Sequence, residues 1–536
     1  MKSKSKHYIL LTLIITSIVV FQKVSAKQQI SVNIDNIHKD IKQLASDKFA
    51  GRAPLTKGEK LTIDYLAKQY ESIGLKGANN GSFFHPVPMA KIIIDQDMKL
   101  RIGDMTFNNG IDFTARTEKI ENKITLDDSD IVFVGYGINA PEYNWNDYAG
   151  IDVKGKTVIM LVNDPGFATQ DEAVFTGNAM TYYGRWTYKY EEAARQGAKA
   201  VFIVHQTAPA AYPWSVVQSS NTGSKYTLVD DNKNVSKLPI MGWIQHEVAQ
   251  KVFKSAGLIF EEQEKQALTA DFKAQALDLK ANLSLDIEIE NAVSNNVVAT
   301  LKGSSKADEY IVIGAHWDHF GTKKTPTGDK IYNGAIDNAT GTAATLELAR
   351  LMKAQSLIKP FERSILFINF TAEETGLIGS ELFAKGSVIE TKKMVALLNI
   401  DGMNALDGVD YILQYGNNMS EMEGYLSKSA AKQNRSVKLD PRPQNGLFFR
   451  SDHFSFAKQG VPSLLFMSLG DTDPEYITHR YHKEADDYSA NWSLGGIKQD
   501  IELIIDIASV LANNNDWPKW TSESDFKNRR ELDTAK

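Results

Sequence analysis

The feature that most constrains the fold is an alternation of apolar runs and helical stretches between residues 290 and 513. Apolar runs that predict buried strands occupy residues 310–315, 365–370, 395–400 and 463–467. Between them, segments such as residues 339–355 carry the apolar spacing of amphipathic helices. Strands that alternate with helices are typical of an α/β fold. We therefore predict a mixed, mostly parallel sheet flanked by helices.

Acids and histidines follow the first three of these predicted strands, and they are His316, Asp318, His319, Glu373, Glu374 and Asp401. Asp337 stands before a predicted helix, and His482 lies in a late loop. Open α/β sheets bind ligands beyond the carboxyl ends of their strands, so the residues that follow the first three strands are expected at one edge. The adjacent acids in FTAEETG, residues 370–376, admit two interpretations. They are either solvated acids at the start of a helix or part of a metal site, where a cation offsets their repulsion.

Histidine and carboxylate ligands in a chain without cysteine suit Zn²⁺, with Co²⁺ or Mn²⁺ as alternatives. Five such ligands are too many for one tetrahedral ion, and they suit two ions about 3.5–4 Å apart that share a carboxylate. The zincin motif H-E-x-x-H and the serine-hydrolase motif G-x-S-x-G are both absent from the sequence. The sequence therefore indicates a two-metal site of another kind.

One further motif is misleading. GIDVKGKT, residues 150–157, fits the P-loop pattern, but a true P-loop follows a strand and opens a helix. Here the run VIMLV, typical of a strand, comes directly afterwards. We interpret the segment as a turn before a strand, with Lys154 and Lys156 in solvent.

Composition limits the class of protein. The chain has 536 residues, which is long enough for two or three domains, and a net charge of −6 without a long basic run. Binding to nucleic acid or to an anionic membrane surface is therefore not expected. The absence of cysteine excludes a disulfide framework and a thiol nucleophile.

The first 26 residues have the form of a signal peptide. Lys2, Lys4 and Lys6 form a basic region, an apolar run extends over residues 8–21, and the segment ends at Ala26. The apolar run is shorter than the roughly 20 residues that a membrane span needs, so we favour cleavage over an uncleaved anchor. Cleavage takes the formal charge from −6 to −10. We expect an exported protein, periplasmic or secreted from a bacterium, without a stable membrane span.

Six segments together resemble the di-zinc exopeptidase family of bacterial leucyl aminopeptidases, aminopeptidase Y and glutamate carboxypeptidase. They are GAHWDHFG, NGAIDNATG, FTAEETGLIGS, NIDGMN, RSDHFSF and YHKEADD, in that order along the chain. The residues after 125 resemble the inserted protease-associated (PA) domain of that family. After the signal peptide (1–26), the resemblance implies an N-terminal part of the peptidase domain (27–124), a PA-like inserted domain (125–285) and a zinc peptidase domain (286–513). A polar C-terminal tail (514–536) follows.

The resemblance also implies roles for individual residues. One zinc would be held by His316, Asp337 and Asp401, and the other by Asp337, Glu374 and His482, with Asp337 as the bridge. Glu373 would be the general base, Asp318 would orient His316, and Tyr481 would donate a hydrogen bond to the oxyanion. The Asp337–Asn338 peptide bond is expected to be cis.

Other polar residues near the motifs receive different interpretations. We expect His319 to pack or to act behind the ligands, and His479 to be a surface neighbour of His482. Asp452 and His453 would shape the pocket wall. Arg450 would meet either a substrate carboxylate or a nearby acid, and the sequence leaves both open.

The implied function is a zinc-dependent aminopeptidase that hydrolyses the N-terminal residues of peptides through a water molecule between the metals. A carboxypeptidase or dipeptidase of the same family is an alternative, and glutaminyl cyclase, which uses one zinc, is another. A non-catalytic relative is a fourth possibility, against which the full ligand set argues.

Overall fold

The computed structural model describes residues 30–326, 328–469 and 475–534. The predicted signal peptide, 1–26, lies outside the described residues. Among the described residues, no helix combines the length and the apolar character that crossing a membrane requires.

The part of the chain that carries the candidate ligands is built on one large sheet. Its strands, in chain order, are β1 (Lys76–Gly77), β2 (Phe84–Ile94), β11 (Lys225–Leu228), β13 (Gln275–Leu301), β14 (Lys306–His316), β17 (Arg363–Phe370), β18 (Met394–Asn399), β19 (Tyr411–Tyr415), β20 (Ser436–Leu439) and β21 (Ser463–Met467), with the two-residue β1 pairing on the side of β13. The spatial order of the nine longer strands is β11-β2-β13-β17-β14-β18-β21-β19-β20.

The four strands at the centre of this sheet, β17, β14, β18 and β21, run parallel to one another. Every residue of β17 is buried, as expected for a parallel strand covered on both faces. These are the four strands that the apolar runs predict. The mixed, mostly parallel α/β sheet is thereby confirmed.

Helices cover this large sheet and connect its strands. They are α1 (Ile34–Leu44), α2 (Lys57–Ile73), α9 (Gly341–Ile358), α10 (Ile378–Ala384), α11 (Met422–Lys432), α12 (His453–Lys458), α13 (Gly495–Asn513) and α14 (Lys527–Thr534). On one face, α9 and α13 pack against β14 and β17. On the face that carries Phe370, the ring of Phe456 from α12 lies 5.8 Å from it, and Phe383 from α10 lies 6.1 Å from Phe456.

A second set of strands follows β2. They are β3 (Lys99–Ile102), β4 (Met105–Asn108), β5 (Phe113–Arg116), β6 (Lys123–Phe133), β9 (Thr157–Leu161), β10 (Ala200–His205) and β12 (Ile240–Gln245), and with β13 they pair in the order β4-β3-β13-β6-β9-β10-β12-β5. Two two-residue strands, β7 (Asn139–Ala140) and β8 (Trp145–Asn146), pair separately.

The helices of this second unit are α3 (Pro165–Thr169), α4 (Trp186–Arg195), α5 (Thr207–Ala210), α6 (Trp214–Asn221), α7 (His246–Ser255) and α8 (Phe260–Gln266). The P-loop-like segment 150–157 enters β9 and opens no helix, which agrees with its interpretation as a turn before a strand. The unit also takes in β3, β4 and β5, which precede residue 125. Its description as a PA-like domain remains a prediction.

A single strand belongs to both sheets. β13 is 27 residues long. Its first half pairs with β6 and β3, and its second half pairs with β2 and β17. A separate hairpin of β15 (Gly321–Thr325) and β16 (Gly328–Tyr332) follows β14 in the chain.

Candidate metal centre

Three neighbouring parallel strands deliver the candidate ligands to one edge of the sheet. His316 is the last residue of β14. Glu373 and Glu374 follow the end of β17, and Asp401 follows the end of β18. Because β17 and β18 flank β14 in parallel, these side chains meet at the carboxyl edge, where such sheets bind ligands.

The first group of donors centres on His316, which is 1% exposed. Its Nε2 atom lies 3.2 Å from Asp337 Oδ1 and 3.2 Å from Asp401 Oδ1. Burial opposes protonation of this imidazole, but the carboxylates of Glu373, Asp337 and Asp401 outweigh it and raise the pKa of His316 well above its ordinary value. The surroundings therefore strongly favour a positive charge at this position.

The second group of donors shares Asp337 with the first. Asp337 Oδ2 lies 3.2 Å from His482 Nε2, and the same nitrogen is 3.4 Å from Glu374 Oε2. The other carboxylate oxygen of Glu374 contacts His319 Nδ1 at 2.5 Å. Asp337 thus turns one oxygen towards each group, which is the arrangement that a bridging ligand needs.

These donors fit the metal ions that the sequence implies. One atom each from His316, Asp337 and Asp401 lies within 4.8 Å of the others, and the same holds for His319, Asp337 and Glu374. Imidazole and carboxylate are the ligands that zinc takes in the absence of thiolate. Buried carboxylates packed this closely are costly without a cation, so the donor chemistry is compatible with bound metal.

Glu373 lies beside both groups without joining either. Burial raises the pKa of Glu373 well above its ordinary value, and the neighbouring carboxylates of Asp401 and Glu374 add to the effect. A carboxylate with raised proton affinity at the edge of a metal site is placed to accept and return a proton.

Asp318 connects two of the ligand loops. Its backbone carbonyl accepts a hydrogen bond from His316 Nδ1 at 3.1 Å, whereas its carboxylate oxygen is 3.8 Å from the same atom. That carboxylate accepts the backbone N–H groups of Glu373 at 3.0 Å and Glu374 at 3.4 Å. The residue therefore holds the loop after β17 against the loop after β14.

Asp337 sits in an irregular helical turn, Ala335–Thr340, ahead of α9. The peptide bond from Asp337 to Asn338 is cis, as the resemblance implies. The carboxylate of Asp486 accepts the backbone N–H groups of Ile336 and Asp337 at 3.0 Å each. Gly334, at φ 55°, precedes the turn, and a Cβ there would lie 2.2 Å from the Asp337 carbonyl oxygen. Only glycine fits that approach.

Arg52 was not identified from the sequence as a residue of the site. It is 1% exposed, and it donates to the carbonyl oxygens of Trp317 and Gly334 at 2.8 Å each and of Asn333 at 2.5 Å. It thereby ties the loop after His316 to the turn that carries Asp337. Burial lowers the pKa of Arg52 to about 10. In the sequence, its segment AGRAP indicates only a break between two helices.

Tyr481 and His482 follow the helical turn Tyr476–Arg480. Their rings stack with centroids 3.8 Å apart, and His482 adopts a left-handed backbone, φ 58°. Tyr481 is 41% exposed, so it borders the opening of the site. His479 is exposed and pairs with Glu475 at 2.7 Å, which confirms it as a surface residue.

Asp452 and His453 are fully buried at the start of α12. Burial raises the pKa of Asp452 to about 8 and lowers the pKa of His453 to about 4. Within the described residues, neither side chain hydrogen-bonds to His316 or Asp401, and both feel the electrostatic field of Asp401. Their predicted place in the pocket wall agrees with this position.

Comparison with known proteins shows which proteins this chain is similar to. Residues 296–506 match the model of peptidase family M28. Aminopeptidase YwaD of Bacillus subtilis (strain 168) is 26% identical over 374 residues, which are 65% of this chain and 62% of that protein. A probable zinc metalloprotease of Pyrenophora teres f. teres (strain 0-1) is 38% identical over 106 residues, which are 20% of this chain and 22% of that one.

Among solved structures, an aminopeptidase from Aneurinibacillus sp. strain AM-1 is similar over 91% of this chain and 95% of its own. The TM-score is 0.50 and the sequence identity is 21%, so this similarity concerns the fold. The chain spans less than two thirds of the length of the two relatives found by sequence. The matched segment contains every candidate ligand, together with Glu373 and Tyr481. Residues 296–506 are therefore similar in sequence to peptidase family M28.

Proposed function

We propose that the protein is an exported, zinc-dependent exopeptidase that removes residues from the free amino terminus of peptides. The observation that carries the proposal is the pair of donor groups that share Asp337 beside an acid, Glu373, that belongs to neither. The similarity to an aminopeptidase of Bacillus subtilis and to a probable zinc metalloprotease supports both the metal and the activity.

His316, Asp337 and Asp401 would hold one zinc ion, and Asp337, Glu374 and His482 the other. Co²⁺ or Mn²⁺ would suit the same donors. When bound, the ions would supply Lewis acidity that polarises the scissile carbonyl group. His319 contacts Glu374, so its part is to orient that carboxylate from behind, as partners of metal-bound groups commonly do.

The side chains of the chain supply the proton chemistry. Glu373 accepts a proton from the attacking water on a carboxylate oxygen and returns it to the nitrogen of the departing amine. Asp318 keeps Glu373 in place through the backbone N–H of that residue. Tyr481, at the opening, donates its hydroxyl hydrogen to the carbonyl oxygen as negative charge develops there.

The acidic surroundings favour an amino terminus as the recognised end of the peptide. Asp401 and Glu373 lie close enough to His316 to raise its pKa, and the same field attracts a protonated α-amine. A carboxypeptidase of the same family is the alternative, and it requires cationic side chains for the terminal carboxylate.

One peptide in two forms, free and N-acetylated, tests the proposal. The zinc-loaded protein should hydrolyse the free form alone and release residues stepwise from the amino terminus. Cleavage of both forms at equal rates, or release of the C-terminal residue first, would favour the carboxypeptidase. Cyclisation of an N-terminal glutamine without peptide cleavage would favour glutaminyl cyclase.

Export and the PA-like insert belong to the same proposal. Removal of residues 1–26 would place the enzyme in the periplasm or the medium, and N-terminal sequencing of protein recovered from a bacterial envelope or culture medium tests it. A mature chain that begins after Ala26 is expected. The insert, residues 125–285, would wall one side of the cleft and restrict entry to short or unfolded peptides.

A further inference from the structure

Arg185 is a buried cation without an anionic partner among the described residues. It lies at the N-terminus of α4 and is 7% exposed. Within the described residues, no carboxylate or carbonyl oxygen accepts a hydrogen bond from its guanidinium, and its Nε atom is buried without a partner. A buried charge without a counter-charge is costly in free energy, so an anionic ligand would stabilise the guanidinium group of Arg185.

A second arginine makes the local charge stronger. Arg450 is an electrostatic neighbour of Arg185, and burial together with Arg450 lowers the pKa of Arg185 to about 9. Arg450 is exposed and donates from Nη2 to the carbonyl oxygen of Asn445 at 2.7 Å. The loop that Arg450 contacts also lies against Arg185, since a Cβ at Gly446 would be 3.5 Å from Arg185 Cδ, and Tyr212 is an electrostatic neighbour of both arginines. In the described part of the chain, neither guanidinium forms an ion pair with a carboxylate.

The pair spans two parts of the chain that meet at the candidate site. Arg185 belongs to a segment of the second unit that contacts residues of the large-sheet unit. In this contact the backbone N–H of Met180 donates to the Pro443 carbonyl oxygen at 3.2 Å. The ring of Tyr182 lies 5.6 Å from that of Phe454. Arg450 is two residues before Asp452, which is buried in the electrostatic field of His316 and Asp401. Residues 450–452 therefore connect the arginine pair with the surroundings of the candidate metal centre.

Packing alone does not account for Arg185. Its guanidinium lies 5.9 Å from the ring centre of Trp186, and Arg116 lies 5.7 Å from the same ring. Arg116 has a carboxylate partner, Glu118, at 3.1 Å. A cation–π contact satisfies the face of a guanidinium but leaves its N–H donors unused. The difference between the two arginines is thus the missing anion.

We propose that Arg185 and Arg450 together bind the terminal α-carboxylate of a short peptide whose amino end lies at the metal centre. This inference rests on the proposed function and names its substrate class: short peptides with a free carboxyl terminus. Guanidinium groups match the planar geometry of a carboxylate and form charge-assisted hydrogen bonds with it. Because Arg185 lies in the predicted insert, residues 125–285, this insert would contribute directly to substrate selection.

The test uses one tripeptide with a free amino terminus in three forms. The first has a C-terminal carboxylate, the second a C-terminal amide, and the third is an amide with glutamate as its last residue. The zinc-loaded wild type is compared with Arg185→Gln and Arg450→Gln. The matched control is Arg442→Gln, which alters an exposed arginine on the same loop.

The wild type and the control should favour the acid over the amide by about tenfold or more in kcat/KM, as a charge-assisted contact implies. In both test variants that ratio should fall towards one, chiefly through KM. Equal rates for acid and amide in the wild type would overturn the proposal. Preference for the glutamate amide over the acid would assign the pair to an acidic side chain and would also overturn it.

A binding measurement keeps the inference separate from the activity. The N-acetylated tripeptide acid should raise the Tm of the wild type more than its amide does, and this difference should vanish in Arg450→Gln, whose altered side chain is exposed and does not threaten folding. If the acid raises the Tm more than the amide but no peptide is hydrolysed, the carboxylate site at the arginine pair is supported and the proposed peptidase function is refuted. If peptides are hydrolysed but the acid and the amide raise the Tm equally, the proposed carboxylate site is refuted.

Discussion

The carboxylate of Asp318 accepts the backbone N–H of Glu373 at 3.0 Å, so the position of the proposed general base depends on a residue from a different strand end. Since the backbone N–H of Glu374 donates to the same carboxylate at 3.4 Å, one side chain holds both acids that follow β17. The geometry of the candidate metal centre therefore also depends on a residue, Asp318, that is not one of the proposed ligands.

Replacing Asp318 with alanine should free this loop. We expect kcat to fall by about 10²-fold, the scale of a misplacement of roughly 1 Å, with a smaller change in KM. The matched control is Asp329→Asn, which alters an exposed acid on β16. Peptide hydrolysis by the two variants checks this, and equal activity of both would show that the loop holds its position without Asp318.

Replacing Glu373 or Glu374 with glutamine should impair the enzyme in two different ways. Glu373→Gln removes a proton acceptor and no ligand, so it should keep the wild-type metal content and lose about 10²–10⁴-fold in kcat. Glu374→Gln removes a ligand and should bind less metal. Metal analysis and kinetics on the same samples separate the two. Similar metal content and similar loss in both variants would contradict this division of roles.

The shared carboxylate of Asp337 predicts two metal ions per chain. Metal analysis of the purified, active protein should return close to two equivalents of zinc. Asp337→Asn should lower both occupancies together, because one oxygen of this residue faces each donor group. A single equivalent with full activity would instead favour the one-zinc chemistry of a cyclase.

Arg52 should be critical for stability as well as for the site. Arg52→Met leaves several buried carbonyl oxygens without a donor, each at a cost of about 1–3 kcal/mol, so we expect the free energy of unfolding to fall by at least about 3 kcal/mol. Arg101→Met, at an exposed position on β3, is the control. Urea unfolding of the metal-free proteins measures the difference, and equal midpoints would refute it.

His85 predicts a stability change with pH away from the metal centre. It is 5% exposed and contacts Asn296 and Ser387, and burial lowers the pKa of His85 to about 4. Between that value and the ordinary value near 6.5 the unfolded chain binds the extra proton, so stability falls as the pH falls through this window.

At pH 5 the loss from this one group is about 2 kcal/mol relative to neutral pH. His85→Gln, which cannot take up the proton, should lose correspondingly less between pH 7 and pH 5. Urea unfolding at both pH values measures it. The same loss in the variant and in the wild type would show that His85 does not contribute to the pH dependence.

Local patterns in the sequence predict the central sheet because each of its strands is short, apolar and buried on both faces. The ligand positions follow from the same patterns, since parallel strands bring their carboxyl ends to one edge. The positions of the candidate ligands His316, Glu374 and Asp401 at this edge can therefore be predicted from the amino-acid sequence alone. Their roles, and those of Asp337, His482 and Tyr481, remain predictions until metal and activity are measured.

Arg52 and Arg185 could not be identified in this way. Three of the carbonyl oxygens that accept hydrogen bonds from Arg52 lie 265 to 282 residues further along the chain. Every residue has a backbone carbonyl group, so the sequence does not indicate which of them Arg52 contacts. Arg185 stands out because no described residue accepts a hydrogen bond from its guanidinium group. This can be seen only in the folded structure. The short strands β3, β4 and β5 escaped prediction because four residues carry too little periodicity.

The continuity of β13 limits how this protein can be divided. An insert joined by two flexible tethers can be cut out, exchanged or expressed alone, but here the boundary runs along one unbroken strand. Removing the second unit would strip β6 and β3 from the first half of β13 and leave an exposed edge, which invites aggregation. We therefore expect that neither unit keeps its fold when the other is deleted from the chain.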